Sequence, residues 1–412
     1  LLLTLSFTDK DGVVYHLTHD ISEDDFNVEK EGQEEIIGWL YQYYNTALKA
    51  DTFAQLKKNV KISKERIPAA TQLFTPHWIV RYMVENSLGR IVISEQCSAD
   101  SESERIEKEK STAESFGWKY YIPEAEQTPE VRAKLNTVRS PLNADFNIES
   151  ITLIDPCMGS GHILTYAFDV LMQIYESRGY TQRDAAKLIV ENNLFGLDID
   201  DRAYQLAYFA VMMKARRYNR RILNGAVKHN LYYIRDNRVF TPEIIDFIAA
   251  ENSGIKTDLQ TISSELQNAD EYGSLVNISP ANFGKIISRI EEIENSDYDL
   301  LETINKNITV EDILPVIRQA EIMAQKYDVV VTNPPYMGSS SMGAKLSDYV
   351  KKNYPDSKSD LFACFIEHCG DMLKENGYQA MITQHAWMFL SSYENLRVKL
   401  QSRDTVNMAH LG

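Results

Sequence analysis

Residues 328–336, reading Asp-Val-Val-Val-Thr-Asn-Pro-Pro-Tyr, constrain this chain more than any other stretch. The run from Asp328 to Thr332 is short, apolar and β-branched, the pattern of a strand buried in a parallel sheet. Two prolines, Pro334 and Pro335, then stop it. Neither can donate to a ladder, and each biases the residue before it towards extended geometry. The expected product is a stiff ledge at the carboxyl end of a central strand, where open α/β sheets bind ligands. On that ledge Asn333 offers a side-chain amide, Pro334 a carbonyl with no competing N–H, and Tyr336 an aromatic face. Such a set can accept hydrogen bonds from an amino group on a flat ring and stack on that ring. Asn-Pro alone would favour a plain strand ending in a proline turn; the full Asn-Pro-Pro-Tyr after an apolar strand favours the ledge.

Other strand ends carry chemistry in the same way. Ile151 to Ile154 reads as a buried strand running into Asp155-Pro156-Cys157-Met158-Gly159-Ser160-Gly161, followed by a helix with Ile163, Tyr166, Ala167, Val170, Leu171 and Ile174 at helical spacing. Strand, glycine-containing turn and helix form a nucleotide-binding pattern: the glycines let the backbone approach a ligand and the helix start offers free N–H groups. The match to G-x-G-x-x-G is partial and weak by itself. Asp155 adds a carboxylate that suits a cationic ammonium group. Leu194 to Asp198 reads as the next strand, ending in an acid placed to bond both hydroxyls of a ribose. It lies further from the glycine turn than the usual ~20 residues, a length that a short helix from Gln182 to Glu191 accounts for. Leu231 to Ile234 is a third strand candidate, followed by Arg235-Asp236, and Tyr378 to Thr383 a further one.

The rest of the chain is expected to be mostly helical. Glu31 to about Val60 has Ile36, Ile37, Leu40, Tyr41 and Tyr44 on one face, which suggests a helical N-terminal module over residues 1–70. Thr75-Pro76 opens a helix, with Thr75 suited to the N-cap and Pro76 to the first helical position. Ser98 to Asn143 reads as a charged surface excursion and Asn237 to Lys326 as a long helical insertion. Lys214 to Arg217 reads as a helix cap and solvated face. Met337 to Ser347, rich in Gly and Ser, is either a loop that closes over a substrate or a plain connector. Asp360 to Leu373 is an amphipathic helix, and Thr405 to His410 begins to look like a strand.

Composition narrows the function. The 412 residues are enough for about two or three domains, and the net charge of −16 argues against a nucleic-acid binder with a wholly basic surface. Local basic groups, at Lys57 to Arg66, Lys214 to Arg221 and Lys345 to Lys358, can still meet a phosphate backbone. No apolar run is long enough to span a bilayer, and Leu1 to Phe7 lacks the marks of a secretory signal. Cys97, Cys157, Cys364 and Cys369 show no metal spacing, so reduced thiols, no metal and a cytoplasmic location are expected.

Three strand-end motifs thus fall in order, Asp155 to Gly161, Asp198, and Asn333 to Tyr336, with Phe74-Thr75-Pro76 upstream. This order resembles the S-adenosylmethionine-dependent N6-adenine DNA methyltransferases. More closely it is similar to the large adenine-specific methyltransferases of BREX phage-defence systems and to type IIG restriction-methylation enzymes, over roughly Glu31 to Gly412. Gln72 to Val80 is similar to their opening motif. The resemblance implies an α/β, Rossmann-like methyltransferase sheet with helices on both faces, over residues 71–412, and S-adenosylmethionine as cofactor. It implies that Thr75 and Pro76, with the turn Asp155, Pro156, Cys157, Gly159, Ser160 and Gly161, hold the methionine part of the cofactor. Asp198 then takes the ribose, Ile199 packs on the cofactor's adenine, and Asp236 is the candidate for its amino group. Asn333, Pro334, Pro335 and Tyr336 become the catalytic ledge for a flipped-out adenine in double-stranded DNA.

The chain departs from that pattern in stopping before a final β-hairpin and a target-recognition domain, which suggests a fragment, and it shows no nuclease motif. Two rival readings remain. The same ledge serves an RNA adenine or a protein glutamine amide, and the chain also fits a cofactor-binding recognition subunit working with other defence-system proteins.

Overall fold

The structure, a computed structural model, describes residues 6–8, 14–16, 34–96, 101–135, 147–224 and 227–411; for 6–8, 14–16, 34–40, 95, 96, 102, 300 and 301 it describes the backbone alone. Strands β1 (Ser6–Thr8) and β2 (Val14–His16) form a small antiparallel pair. The helix expected from Glu31 is α1 (Glu34–Leu56). Tyr41 on it is buried, but Tyr44 is 64% exposed and lies under the Arg202 guanidinium instead of facing a core. The side chains of Ile36, Ile37 and Leu40, like Cys97, fall outside the described residues.

Among the described residues five strands build the central sheet: β3 (Leu153–Asp155), β4 (Leu194–Asp198), β5 (Asn230–Tyr233), β6 (Tyr327–Thr332) and β7 (Leu373–Met381). Their order is β5-β4-β3-β6-β7 and every pairing is parallel. Because successive residues of a strand point to opposite faces, Ile154, Leu197 and Val330 enter one apolar layer, whereas Leu153, Leu194, Val329 and Val331 enter the other. Strand β3 is fully buried and so is β6 apart from Asp328, as expected of central strands in a parallel sheet. The expected α/β sheet with helices on both faces is therefore the observed one.

One layer is made by α2 (His77–Glu85), α3 (Glu102–Ser115), α4 (His162–Ser177) and α5 (Asp201–Tyr218). Here the structure corrects, over the described residues 101–135, the reading of residues 98–143 as a surface excursion. Trp118 is only 4% exposed, its indole Nε1 donates to Gln173 Oε1 at 2.8 Å, and Ala113 and Tyr121 join the same core. The charge that suggested solvent is partly internal: Arg105 pairs with Glu109 on α3 and lies 3.6 Å from Glu124. Lys214 is likewise not a solvated cap, being 5% exposed and 2.7 Å from the Asp169 carboxylate of α4.

The opposite layer comes largely from residues 237–326, which are helical as expected, ending in α6 (Leu314–Ala324) before β6. Ile317 and Ala320 of α6 are fully buried in the same apolar layer as Ile154 and Val330 of the sheet. The loop after the ledge is a packed connector. Met337 and Met342 are buried, Met337 N–H donates to Asp360 Oδ1 at 2.9 Å, and Ile62 N–H donates to Ser341 O at 3.1 Å. Helix α7 (Leu361–Asp371) starts on Asp360 as N-cap. Strand β7 begins earlier than the sequence suggested, and residues 405–410 form no strand; Asn407 Nδ2 there donates to Asn86 Oδ1 at 3.1 Å. Among the described residues no helix is long and apolar enough to cross a membrane.

Candidate active site

The strand order reverses direction between β3 and β6, the place where such sheets open a crevice at their carboxyl ends. Two turns meet there. After β3, Gly159 and Gly161 both take left-handed backbone, at φ of +52° and +84°, which only glycine adopts without strain. After β6 comes the Asn333 ledge.

Carboxylates hold the turn together. Asp155 Oδ1 accepts from Cys157 N–H at 3.0 Å and from the Thr332 hydroxyl at 2.7 Å, tying the end of β3 to the end of β6. Asp155 is 1% exposed, and burial pushes its pKa up to about 7. Asp198 Oδ2 accepts from Gly159 N–H and Oδ1 from Asp200 N–H, each at 2.8 Å. Burial raises its pKa to about 7 as well, against the lowering pull of those two N–H donors.

A cavity of about 120 Å³ opens beside this turn, lined by Pro156, Cys157, Gly159, Asp198, Ile199, Asn333 and Pro335 among others. Seven of the residues singled out from the sequence therefore come together. Asp155, Thr75, Pro76, Ser160 and Gly161 do not line the cavity, and each sits within the turn or the segments that brace it. Asp236 does not line it either: it caps a short turn, accepting from Arg238 N–H at 3.2 Å and Nε at 2.7 Å. Pro76, not Thr75, takes the N-cap position of α2, and no side chain caps that helix start.

The ledge itself separates two spaces. Asn333 and Pro335 line the small cavity, whereas Tyr336 lines a wide cleft of about 1770 Å³ together with Leu73, Trp78, Tyr82, His385 and Trp387. The Tyr336 hydroxyl donates to Ile382 O at 2.8 Å, and its ring lies 5.8 Å from that of Phe362, so the aromatic face is fixed. Asn333 Nδ2 donates to Leu73 O at 3.3 Å and to Thr75 Oγ1 at 3.0 Å. Asn333 Oδ1 is buried with no hydrogen-bond partner. A buried acceptor left open costs ~1–3 kcal/mol, and native proteins keep few of them outside functional sites.

Several lining residues had no such motif. Tyr41 of α1 donates its hydroxyl to the Asp200 carboxylate, which puts the N-terminal helix at the edge of the cavity. Ser274 donates to Pro156 O at 2.6 Å, and Tyr272 and Gly273 also line the space. A Tyr-Gly-Ser break between helical runs was a readable turn signal; the sequence placed Tyr41 on a helix face and gave no sign that it reaches this cavity.

The sequence profile described as Eco57I restriction-modification methylase matches residues 192–410, more than half of the chain. The chain belongs to that family. It is also 46% identical over its whole length to the adenine-specific methyltransferase PglX of Lacticaseibacillus casei (strain Zhang), covering 33% of that protein. It is 42% identical over its whole length to the adenine-specific methyltransferase BrxX of Escherichia coli O9:H4 (strain HS), covering 34% of it. A more distant relative is the putative type II restriction enzyme and methyltransferase RM.MjaORFECS2P of Methanocaldococcus jannaschii, 24% identical over 61% of this chain and 27% of the relative. The chain thus spans about a third of the length of the curated relatives it matches. The family match contains Asp198 and the whole ledge, and the two adenine-specific relatives extend it across the glycine turn.

Proposed function

We propose that this chain carries the catalytic domain of an enzyme that moves a methyl group from S-adenosylmethionine to the N6 amino group of an adenine turned out of duplex DNA. The observation that carries the reading is Asn333 Oδ1, a buried acceptor without a partner, on the ledge between the glycine turn with its small cavity and a wide cleft.

The residues present fit the cofactor. At Gly159 no atom lies within 4 Å of where a Cβ would stand, so the backbone is open to close approach by a ligand. Asp198 lines the cavity with each carboxylate oxygen accepting one backbone N–H, which leaves acceptor capacity for the ribose hydroxyls, and Ile199 supplies an apolar surface for a purine. Pro156, Cys157 and Gly159 line the space for the methionine part, with Thr75, Pro76, Asp155, Ser160 and Gly161 as their support. When bound, the cofactor supplies an electrophilic methyl group on sulfur.

The chain's own part is positioning and charge stabilisation. An adenine amino nitrogen is a poor nucleophile because its lone pair is delocalised into the ring. Asn333 Oδ1 and the Pro334 carbonyl accept its two N–H bonds, favour tetrahedral geometry at nitrogen and receive the positive charge that develops there. Pro335 keeps the ledge stiff. Tyr336 stacks on the extruded base and offsets part of the unstacking cost, a contact worth ~1–3 kcal/mol. In-line approach of the two reacting atoms is then a matter of placement.

Asp198 makes a pH prediction. A carboxylate that accepts from ribose hydroxyls must be ionised, and in the free protein its pKa lies at about 7. Cofactor binding then favours the ionised form and expels a proton at lower pH. Affinity should rise between pH 6 and pH 8 and level off above, and Asp198→Asn should bind more weakly with that rise removed. Calorimetric titration across this range checks it; a flat affinity in the native chain would end the ribose assignment.

The reaction itself is tested with the full-length protein, cofactor carrying a tritiated methyl group, and unmethylated duplex DNA. Label recovered as N6-methyladenine is the expected result. Label in RNA or in protein glutamine with none in DNA would replace the substrate, and no transfer by an otherwise protective protein would favour a recognition subunit. Restriction–modification or phage defence, with other subunits and in the cytoplasm beside the DNA, is the setting that goes with this proposal.

A further inference from the structure

We infer that Thr75, together with the Leu73 carbonyl, is a positioning residue that fixes which end of the Asn333 amide faces the substrate. The inference rests on the reading of Asn333 as an acceptor for an amino group. A side-chain amide has a donor end and an acceptor end, and turning it over exchanges them. Here the surroundings permit one orientation. Leu73 O, at 3.3 Å, can only accept, so the nitrogen must face it; the reverse would set two oxygens against each other. Thr75 Oγ1, at 3.0 Å, is the second acceptor for the same NH₂ group.

Thr75 has been released for this task. A threonine just before a helix ordinarily turns its hydroxyl to the first free N–H groups of that helix. At α2 no side chain does so, because Pro76 stands at the cap, and the Thr75 hydroxyl reaches Asn333 across 258 positions of sequence. Thr75 is 7% exposed, so water does not compete freely for it.

The segment is also clamped to the glycine turn. The Phe74 ring stacks on His162 with centroids 5.1 Å apart and planes at 13°. His77 Nδ1 lies 3.1 Å from His162 Nε2, and His162 is the first residue of α4, directly after Gly161. One rigid unit therefore places the cofactor turn and the orienting groups of the ledge. Its consequence is that Asn333 turns its acceptor end, Oδ1, towards the substrate, next to the carbonyl that the proposed function assigns to Pro334. An amino group finds two partners there, and a keto oxygen finds none.

Thr75→Val keeps the shape and removes the hydroxyl; Thr75→Ser keeps the hydroxyl. In the full-length protein, Thr75→Val should lower kcat for DNA methylation roughly three- to tenfold, the loss of one neutral hydrogen bond. Cofactor affinity by calorimetry should stay within about twofold, and Thr75→Ser should restore kcat. The inference is overturned if Thr75→Val keeps full kcat, or if it weakens cofactor affinity by the same factor as the rate, since Thr75 would then grip the cofactor directly. Asn333→Ala measured alongside separates the two levels. Full activity in that variant removes the acceptor reading itself, whereas lost activity there with none lost in Thr75→Val removes only the orienting role.

Discussion

Asn333→Ala in the full-length protein is expected to lower the methylation rate by ~10²–10³-fold, the usual effect of deleting one preorganised partner of developing charge. Stability and cofactor affinity should barely move. Asn333 Oδ1 has no partner in the free protein, so its removal ends a desolvation cost. The variant also gives up the two bonds from Nδ2 to Leu73 O and Thr75 Oγ1, one of them at an exposed edge. These opposing terms are each about 1–3 kcal/mol and largely offset one another. A group that matters for rate and not for folding is what a site evolved for its substrate should contain. Rate, melting temperature and calorimetric affinity measured on one preparation decide the matter. Equal loss of all three would mean that the ledge is a structural joint, and undiminished methylation would move the active site elsewhere.

The sheet and its ligand edge were legible because the signals are local. Strands β3, β4 and β6 are short and mostly apolar; β3 and β4 end in Asp155 and Asp198, and β6 runs directly into Asn333. Two adjacent prolines leave the backbone after β6 little choice. The errors arose where one residue type serves two environments. The charge of 98–143 looked like solvent, yet among its described residues Arg105, Glu109 and Glu124 pair internally while Trp118 and Tyr121 anchor the segment in the core. Lys214 looked like a helix cap and is a buried partner of Asp169. Asp236 stood at the right strand end, but the neighbouring Arg238 claims its carboxylate. The walls of the cavity supplied by Tyr41 and by Tyr272 to Ser274 are tertiary facts: they depend on how distant helices close over the sheet, and no local spacing records that.

The two glycines of the turn permit a sharper experiment, because the structure assigns them different reasons for being glycine. Both have positive φ, so alanine at either is strained by ~1–2 kcal/mol. At Gly161 a Cβ would also stand 2.9 Å from the Ala207 Cα and 3.0 Å from its Cβ, where α4 packs on α5. That obstacle is a neighbouring helix backbone and cannot swing aside, adding ~1–3 kcal/mol of overpacking. Gly161→Ala should therefore destabilise by about 2–5 kcal/mol and lower the melting temperature by roughly 5 °C or more. At Gly159 a Cβ would meet nothing within 4 Å, and the residue lines the cavity. Gly159→Ala should cost only the backbone strain in stability. Its methyl group enters the space reserved for the cofactor, so affinity should fall by about tenfold or more, as an overlap of one carbon with a bound ligand implies. Thermal unfolding and calorimetric titration of both variants distinguish packing from binding. If Gly159→Ala binds the cofactor as the native chain does, the open space beside that turn is not where the ligand lies, and the carboxylate of Asp198, whose hydrogen bond to Gly159 N–H shapes that space, loses its assigned role with it.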